Sequence, residues 1–113
     1  SSDLYDTISD NAANGGIVLG ANKVDAKTTN LPWCGAILRQ NGVVEETGLA
    51  AGVQGHPAIG IAWLANKLAP WGEHLAAGEI VLAGSFTKPA PAKLGDVFEA
   101  DYGPLGCLKF KFV

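Results

Sequence analysis

Residues 36–47 read Ala36-Ile37-Leu38-Arg39-Gln40-Asn41-Gly42-Val43-Val44-Glu45-Glu46-Thr47. Two runs suited to strands flank Asn41-Gly42, a dipeptide that supplies the two positive φ angles of a type I′ turn. The stretch therefore predicts a β-hairpin, Ala36 to Gln40 and Val43 to Thr47, with its tip at Asn41-Gly42. Adjacent residues in a strand point to opposite faces, so Glu45 and Glu46 are not a carboxylate pair and read as solvated edge charge.

Upstream, Leu31-Pro32 introduces the first strand region, Trp33 to Gln40, in which Cys34, Ala36 and Leu38 alternate with Trp33, Gly35, Ile37 and Arg39. Before it lie a polar loop from Ala21 to Asn30 and a short apolar run, Ile17-Val18-Leu19, which reads as a buried strand. Leu4, Ile8 and Ala12 stand at i, i+4 and i+8, with Asp3 and Asp6 near the start, so residues 3–12 predict a short amphipathic helix ended by Asn14-Gly15-Gly16.

Downstream, Pro57 suits the first turn of a helix over Ala58 to Ala69 that Pro70 stops. Ile61, Leu64, Ala65 and Leu68 form one stripe, and Ile59, Ala62 and Trp63 carry apolar surface most of the way round. This helix therefore needs cover on both sides. Ile80-Val81-Leu82-Ala83 reads as a second buried strand, followed by a polar tip, Gly84 to Pro89. The chain closes on another hairpin, in which Leu108, Phe110 and Phe112 alternate with Cys107, Lys109 and Lys111. Glu99 and Asp101 are expected opposite Lys111 and Lys109, with Gly103 to Cys107 as the loop.

Composition bounds what such a chain does. It has 113 residues, 48% apolar and 17% charged, with a formal charge of −3 and a mean hydropathy of +0.18, which excludes a disordered chain. Eight basic residues against eleven acidic ones leave no footprint for nucleic acid. The longest uncharged stretch, Leu49 to Asn66, is broken by Gln54, His56, Pro57 and glycines, so no membrane span is expected. Residues 1–15 lack the basic start and apolar centre of a signal peptide. Cys34 and Cys107 read as reduced, buried or half-buried small hydrophobes, which points to the cytoplasm. There is no Met. The chain thus reads either as a piece of a longer polypeptide or as one that lost an initiator Met before Ser1.

Three places carry residues suited to chemistry. His56 precedes Pro57 at a helix start, where it reads as an anion-facing group or as a capping or packing residue. Asp10 and Asn11 offer a carboxylate and an amide beside Gly15-Gly16, with helix-end capping as the structural alternative. The Gly84-Ser85-Phe86-Thr87 tip presents hydroxyls and backbone N–H groups, the donors that hold a carboxylate or enolate oxygen. No His, Cys or carboxylate set stands at metal-ligand spacing.

Taken in order, several motifs resemble one known family. They are Ile8-Ser9-Asp10-Asn11-Ala12, Asn41-Gly42-Val43-Val44-Glu45, the run from Gly55-His56-Pro57 to Leu68, Ala77-Gly78-Glu79-Ile80-Val81-Leu82, Gly84-Ser85-Phe86-Thr87, and Gly95-Asp96 through Leu105-Gly106. Together they resemble the C-terminal half of the hydratase/decarboxylase family that includes 2-oxopent-4-enoate hydratase and 4-oxalocrotonate decarboxylase, within the fumarylacetoacetate hydrolase superfamily. The Gly-Ser-Phe-Thr tip and the Asn66-Lys67-Leu68-Ala69-Pro70 ending look more like the decarboxylase. Ala13 stands where hydratases of the family often have Ser, and Cys107 where the closing hairpin usually has Ser.

The resemblance implies an α+β, mainly β fold, a mixed sheet rolled as in the fumarylacetoacetate hydrolase C-terminal fold with one main helix. Residues 1–113 would form the C-terminal portion of a single catalytic domain. It implies a lyase dependent on Mg²⁺ or Mn²⁺ that decarboxylates 4-oxalocrotonate, or alternatively hydrates 2-oxopent-4-enoate, in meta-cleavage catabolism of aromatic compounds. By similarity Ser85, Thr87, Asp10 and Asn11 bind the small 2-oxo acid. The metal ligands, a Glu-x-Glu pair and one further acidic residue, belong to the missing N-terminal half, and no Glu-x-Glu occurs in this sequence. No catalytic or metal residue is therefore expected in this chain, which alone is expected to be inactive. Expected partners are that N-terminal half and further copies in a homo-oligomer or a decarboxylase–hydratase complex. The alternative is a non-catalytic module used for assembly or small-acid binding.

Overall fold

The computed structural model describes residues 15–113. Four strands, β1 (Gly35–Gln40), β2 (Val43–Leu49), β3 (Val97–Asp101) and β4 (Cys107–Lys111), form one sheet in the order β2-β1-β3-β4. The β1–β2 turn falls at Asn41-Gly42, whose φ angles of 53° and 83° are the pair that a type I′ turn requires. The ladder continues past Thr47 to Leu49, opposite Gly35.

Pairing sorts the side chains by face. Leu38 stands beside Ala100, and Ala100 beside Leu108, while Phe98 stands beside Phe110. This apolar face holds the buried Ala36, Phe98 and Ala100. Phe98 stacks on Phe110 with ring centroids 5.9 Å apart, and Phe112 meets both rings edge-on at 5.6 and 6.0 Å. The opposite face carries Arg39, Glu99, Asp101 and Lys109, as period-2 alternation demands.

Several expectations need correction. Every pairing in the sheet is antiparallel, so the expected mixed sheet is not formed by the described residues. Neither Ile17-Val18-Leu19 nor Ile80-Val81-Leu82-Ala83 is a strand. A short apolar run becomes a strand only where a ladder partner meets its N–H and C=O groups. Ile80 and Leu82 are instead more than half exposed, at 58% and 64%. In the closing hairpin Glu99 pairs with Lys109 and Asp101 with Cys107, two residues away from the expected register. The cause is a tighter loop: a 3₁₀ turn over Gly103–Leu105 and Gly106 at φ 109° return the chain early, so that Cys107 already belongs to β4. Opposite the Leu38–Arg39 step of β1, a bulge in β2 leaves Glu45 without a ladder partner, and simple alternation fails at Glu45 and Glu46.

The main helix, α1, spans Ala58–Leu68, with Pro57 as its N-cap residue. It passes into a 3₁₀ turn at Ala69–Trp71, closed by Gly72 at φ 72°. The stripe Ile61, Leu64, Ala65 and Leu68 is half-buried, whereas Ile59 and Trp63 are exposed. Lys67 Nζ lies 5.5 Å from the Trp63 ring centre. No residue of α1 is fully buried, so its expected cover on two sides is not supplied by described residues. Among these residues the fully buried apolar core is Ala36, Ala50, Phe98 and Ala100, while Trp33, Trp71 and Leu94 stand open. No described helix is long and apolar enough to cross a membrane.

Candidate functional site

The hydroxyl tip at Gly84–Pro89 is an ordered turn that rests on β2. Ser85 Oγ donates to the Thr87 carbonyl at 2.8 Å and accepts the Thr87 N–H at 3.2 Å. Since the Ser85 proton is committed to that carbonyl, the remaining contact, Thr87 Oγ1 to Ser85 Oγ at 3.3 Å, has Thr87 as donor. The two hydroxyls thus differ in kind. Ser85 ties the turn to itself, and Thr87 holds a long, weak bond that a better acceptor can displace. Thr87 is half-buried and Ser85 exposed.

Beneath this turn Phe86 lies against Gly48 of β2. A Cβ at Gly48 would overlap the Phe86 carbonyl oxygen and stand 2.9 Å from Phe86 Cδ2, while at Gly52 it would lie 3.9 Å from Phe86 Cβ. Sequence reading missed this seat. Its signal was a glycine inside a strand, which marks the close approach of another backbone.

The other sequence candidates fall differently. Asp10 and Asn11 lie outside the described residues. His56 Nδ1 accepts the Ala58 N–H at 3.0 Å, which makes it a helix-start cap, the structural alternative named for it. His74 is exposed. Glu99 stands opposite Lys109 in the ladder, but the ion pairs of Glu99 and Asp101 run to β1: Arg39 Nη1 reaches Glu99 Oε1 at 3.0 Å and Asp101 Oδ2 at 3.6 Å. Asp96 accepts from Gln40 Nε2, Asn41 Nδ2 and the Lys93 N–H, at 2.9, 3.0 and 2.9 Å. These bonds, the Asn41 one foremost, hold its carboxyl below the ordinary 3.8. Both cysteines are free, but Cys107 is exposed rather than buried, because the register places it on the polar face beside Asp101. Partial desolvation against the sheet, followed by the charges of Glu99 and Asp101, pushes its thiol above the ordinary 9.0.

A groove of about 700 Å³ opens over the apolar face, lined by Ile17, Val18, Leu38, Leu108 and Phe110 among others. Its lining is mostly hydrocarbon, and neither Ser85 nor Thr87 contributes to it. A charged small acid needs convergent donors, so the hydroxyl turn is the better candidate. Among the described residues no group of three His, Cys, Asp or Glu is placed to share a metal ion.

The antiparallel sheet and single helix match the fold of a solved decarboxylase. The fold superposes on the solved 4-oxalocrotonate decarboxylase from Pseudomonas putida G7, complexed with magnesium and adipate, with a TM-score of 0.91 at 33% identity, over 98% of this chain and 42% of that one. The same enzyme complexed with calcium and acetate also gives 0.91. In sequence the chain is 54% identical to 2-oxo-hept-4-ene-1,7-dioate hydratase of Escherichia coli, over 97% of this chain and 41% of that protein. It is 37% identical to 2-hydroxyhexa-2,4-dienoate hydratase of Comamonas testosteroni, over 96% of this chain and 41% of that protein. It is 34% identical to 4-oxalocrotonate decarboxylase of Pseudomonas sp. (strain CF600), over 98% and 42%. No family model matches the chain. The chain is a homologue of both the hydratases and the decarboxylases, and it spans about two-fifths of their length.

Proposed function

We propose that this chain is the C-terminal, substrate-loop portion of a single catalytic domain, in a lyase that acts on unsaturated 2-oxo acids with a second carboxylate, and that the reaction is hydration of the carbon–carbon double bond. The observation that carries the choice is the 54% identity to 2-oxo-hept-4-ene-1,7-dioate hydratase, against 34% to the decarboxylases. Decarboxylation of 4-oxalocrotonate, favoured by the Gly84-Ser85-Phe86-Thr87 tip, becomes the second reading and keeps the support of the decarboxylase superposition.

In this reading the chain's own part is binding and orientation. The Thr87 hydroxyl gives up its long bond to Ser85 and donates to a substrate oxygen, while Ser85 keeps the turn in shape. A donor fixed before substrate arrives loses little entropy on binding. The magnesium and calcium complexes of the structural neighbour support a divalent ion in the intact enzyme. Such an ion would polarise the 2-oxo group as a Lewis acid. The described residues do not supply a ligand set for it, since Glu99 and Asp101 face Arg39 and Asp96 is held by its turn. The ligands then come from elsewhere in the polypeptide, which also covers α1 and completes the sheet into a roll.

The test is an assay of the full-length gene product with Mg²⁺ on 2-oxo-hept-4-ene-1,7-dioate, 2-hydroxypentadienoate and 4-oxalocrotonate. Water addition to the seven-carbon diacid at the highest kcat/KM is the expected result. CO₂ release from 4-oxalocrotonate at the highest rate selects the second reading, and turnover of none of the three sinks both.

A further inference from the structure

The Gly48–Phe86 contact joins the hydroxyl turn to the sheet, and nothing in the proposed chemistry requires a residue of β2. Gly48 pairs with Ala36, within the regular part of the β1–β2 ladder. It is not among the residues with positive φ, so no backbone angle demands a glycine there. Space demands it. The atoms that a Cβ would meet first include the Phe86 carbonyl oxygen and carbonyl carbon, the latter at 3.0 Å. Backbone atoms have no rotamer to swing away, so any side chain at 48 must lift the whole turn or push β2 off the sheet.

We propose that Gly48 is a positioning residue for the substrate turn: by letting the Phe86 backbone sit directly on β2, it fixes the height and tilt at which the Ser85 and Thr87 hydroxyls are presented. The functional half of this inference rests on the reading of that turn as substrate-binding. The mechanical half does not. Phe86 acts as the plug, its carbonyl and ring over Gly48 and its Cβ toward Gly52. The Ser85 hydroxyl then closes the turn above the plug through its two bonds to the Thr87 backbone. A seat in the sheet, a plug and an internal tie hold Thr87 with no direct bond from its own hydroxyl to the sheet.

Two variants of the full-length gene product test this, Gly48→Ala and Phe86→Ala, the second leaving β2 unaltered in case the first does not fold. Amide hydrogen exchange is read at residues 85–87 and, as an internal control, at 37–40 in β1. The expected result is exchange at 85–87 faster by about tenfold in each variant that folds, with the control amides unchanged. In the hydration assay KM is expected to rise about tenfold with kcat within about threefold, because a displaced donor weakens binding more than chemistry. A general structural defect would instead speed exchange at 37–40. Wild-type exchange at 85–87 in Phe86→Ala overturns the proposal, as does fast exchange at the control amides. Thr87→Val separates the two halves. If it leaves both exchange and kcat/KM at wild type, the substrate reading of the turn fails, while the exchange data still decide whether Gly48 seats it.

Discussion

Asn41 and Asp96 lock the two hairpins of the sheet to each other: the Asn41 Nδ2–H donates to Asp96 Oδ1 at 3.0 Å across a sequence separation of 55 residues. The side-chain oxygen of Asn41 accepts the Val97 N–H at 2.9 Å, and the Asn41 backbone N–H donates to the Val97 carbonyl at 2.8 Å. Asn41 therefore does two jobs, one for its left-handed turn position and one for the junction. Asn tolerates φ of 53° because its short polar side chain finds local partners.

Replacing Asn41 separates these jobs. Asn41→Gly keeps the backbone angle and loses the two side-chain bonds, so about 1–2 kcal/mol of stability is expected to go. Asn41→Ala adds the strain of a left-handed alanine, about 1 kcal/mol more. Urea unfolding of the full-length protein with both variants checks the order. A Gly variant less stable than the Ala variant contradicts it.

The Asp96 carboxyl makes stability depend on pH in a defined direction. Its folded value lies below the ordinary 3.8, chiefly through the Asn41 bond and then the Lys93 N–H and Gln40 bonds. A depressed acid contributes stability that is present above its unfolded pKa and is lost as pH falls through the folded one. Asp96→Asn is therefore expected to melt below wild type at pH 7. The gap in Tm narrows as pH falls below the ordinary 3.8 and through the lower folded value, where wild-type Asp96 itself takes up a proton. A gap that stays constant from pH 7 to pH 2 would show that the carboxylate charge plays no part.

Arg39 faces two carboxylates that follow one another on the same side of β3. Arg39→Met leaves Glu99 and Asp101 adjacent without their shared cation. The side chains are about one-third exposed, 29% for Arg39 and 33% and 37% for the acids, so the stability loss is about 1 kcal/mol or less. The sharper readout is the neighbouring Cys107, whose thiol Arg39 holds down. In a Cys34→Ser background the alkylation rate of Cys107 is expected to titrate above 9.0, and higher still with Arg39→Met. Equal profiles for the two proteins would remove the electrostatic link.

The hydroxyl turn predicts unequal effects. Thr87→Val is expected to lower kcat/KM of the full-length enzyme about 10- to 100-fold, the equivalent of one hydrogen bond to a charged group, with no change in Tm. Ser85→Ala removes the tie to the Thr87 backbone and is expected to lower kcat/KM while also loosening residues 85–87 in hydrogen exchange. Kinetics and exchange measured on the same two variants check this, and identical signatures for both would contradict the division of labour.

Asn41-Gly42 was legible in the sequence because two positive φ angles in a row restrict the residues that fit them. The closing hairpin was legible in its alternation but not in its register, since the 3₁₀ turn at Gly103–Leu105 shortens the loop and no residue count announces it. Ile80 to Ala83 misled because an apolar run does not say whether a ladder partner lies within reach. Arg39 was missed as the partner of Glu99 and Asp101 because it sits on β1, about sixty residues upstream, where only the β1–β3 pairing brings it close. At the candidate site, the Ser85 and Thr87 hydroxyls were legible as donors. Their different duties were not, because these depend on which atom of the turn each one meets.

The bulge at Glu45 bears on how the molecule keeps to itself. In the four-stranded sheet β2 is an edge, and Val43 and Val44 are exposed on it at 65% and 53%. A straight edge with two exposed valines is a template onto which a strand of another molecule can zip, the first step toward aggregates. The extra residue breaks the two-residue repeat in mid-strand, and the unpaired Glu45 puts a charge at the break. An incoming strand in register with Thr47 to Leu49 falls out of register at Val43 and Val44, so the bulge limits pairing along this edge to one half of β2 at a time.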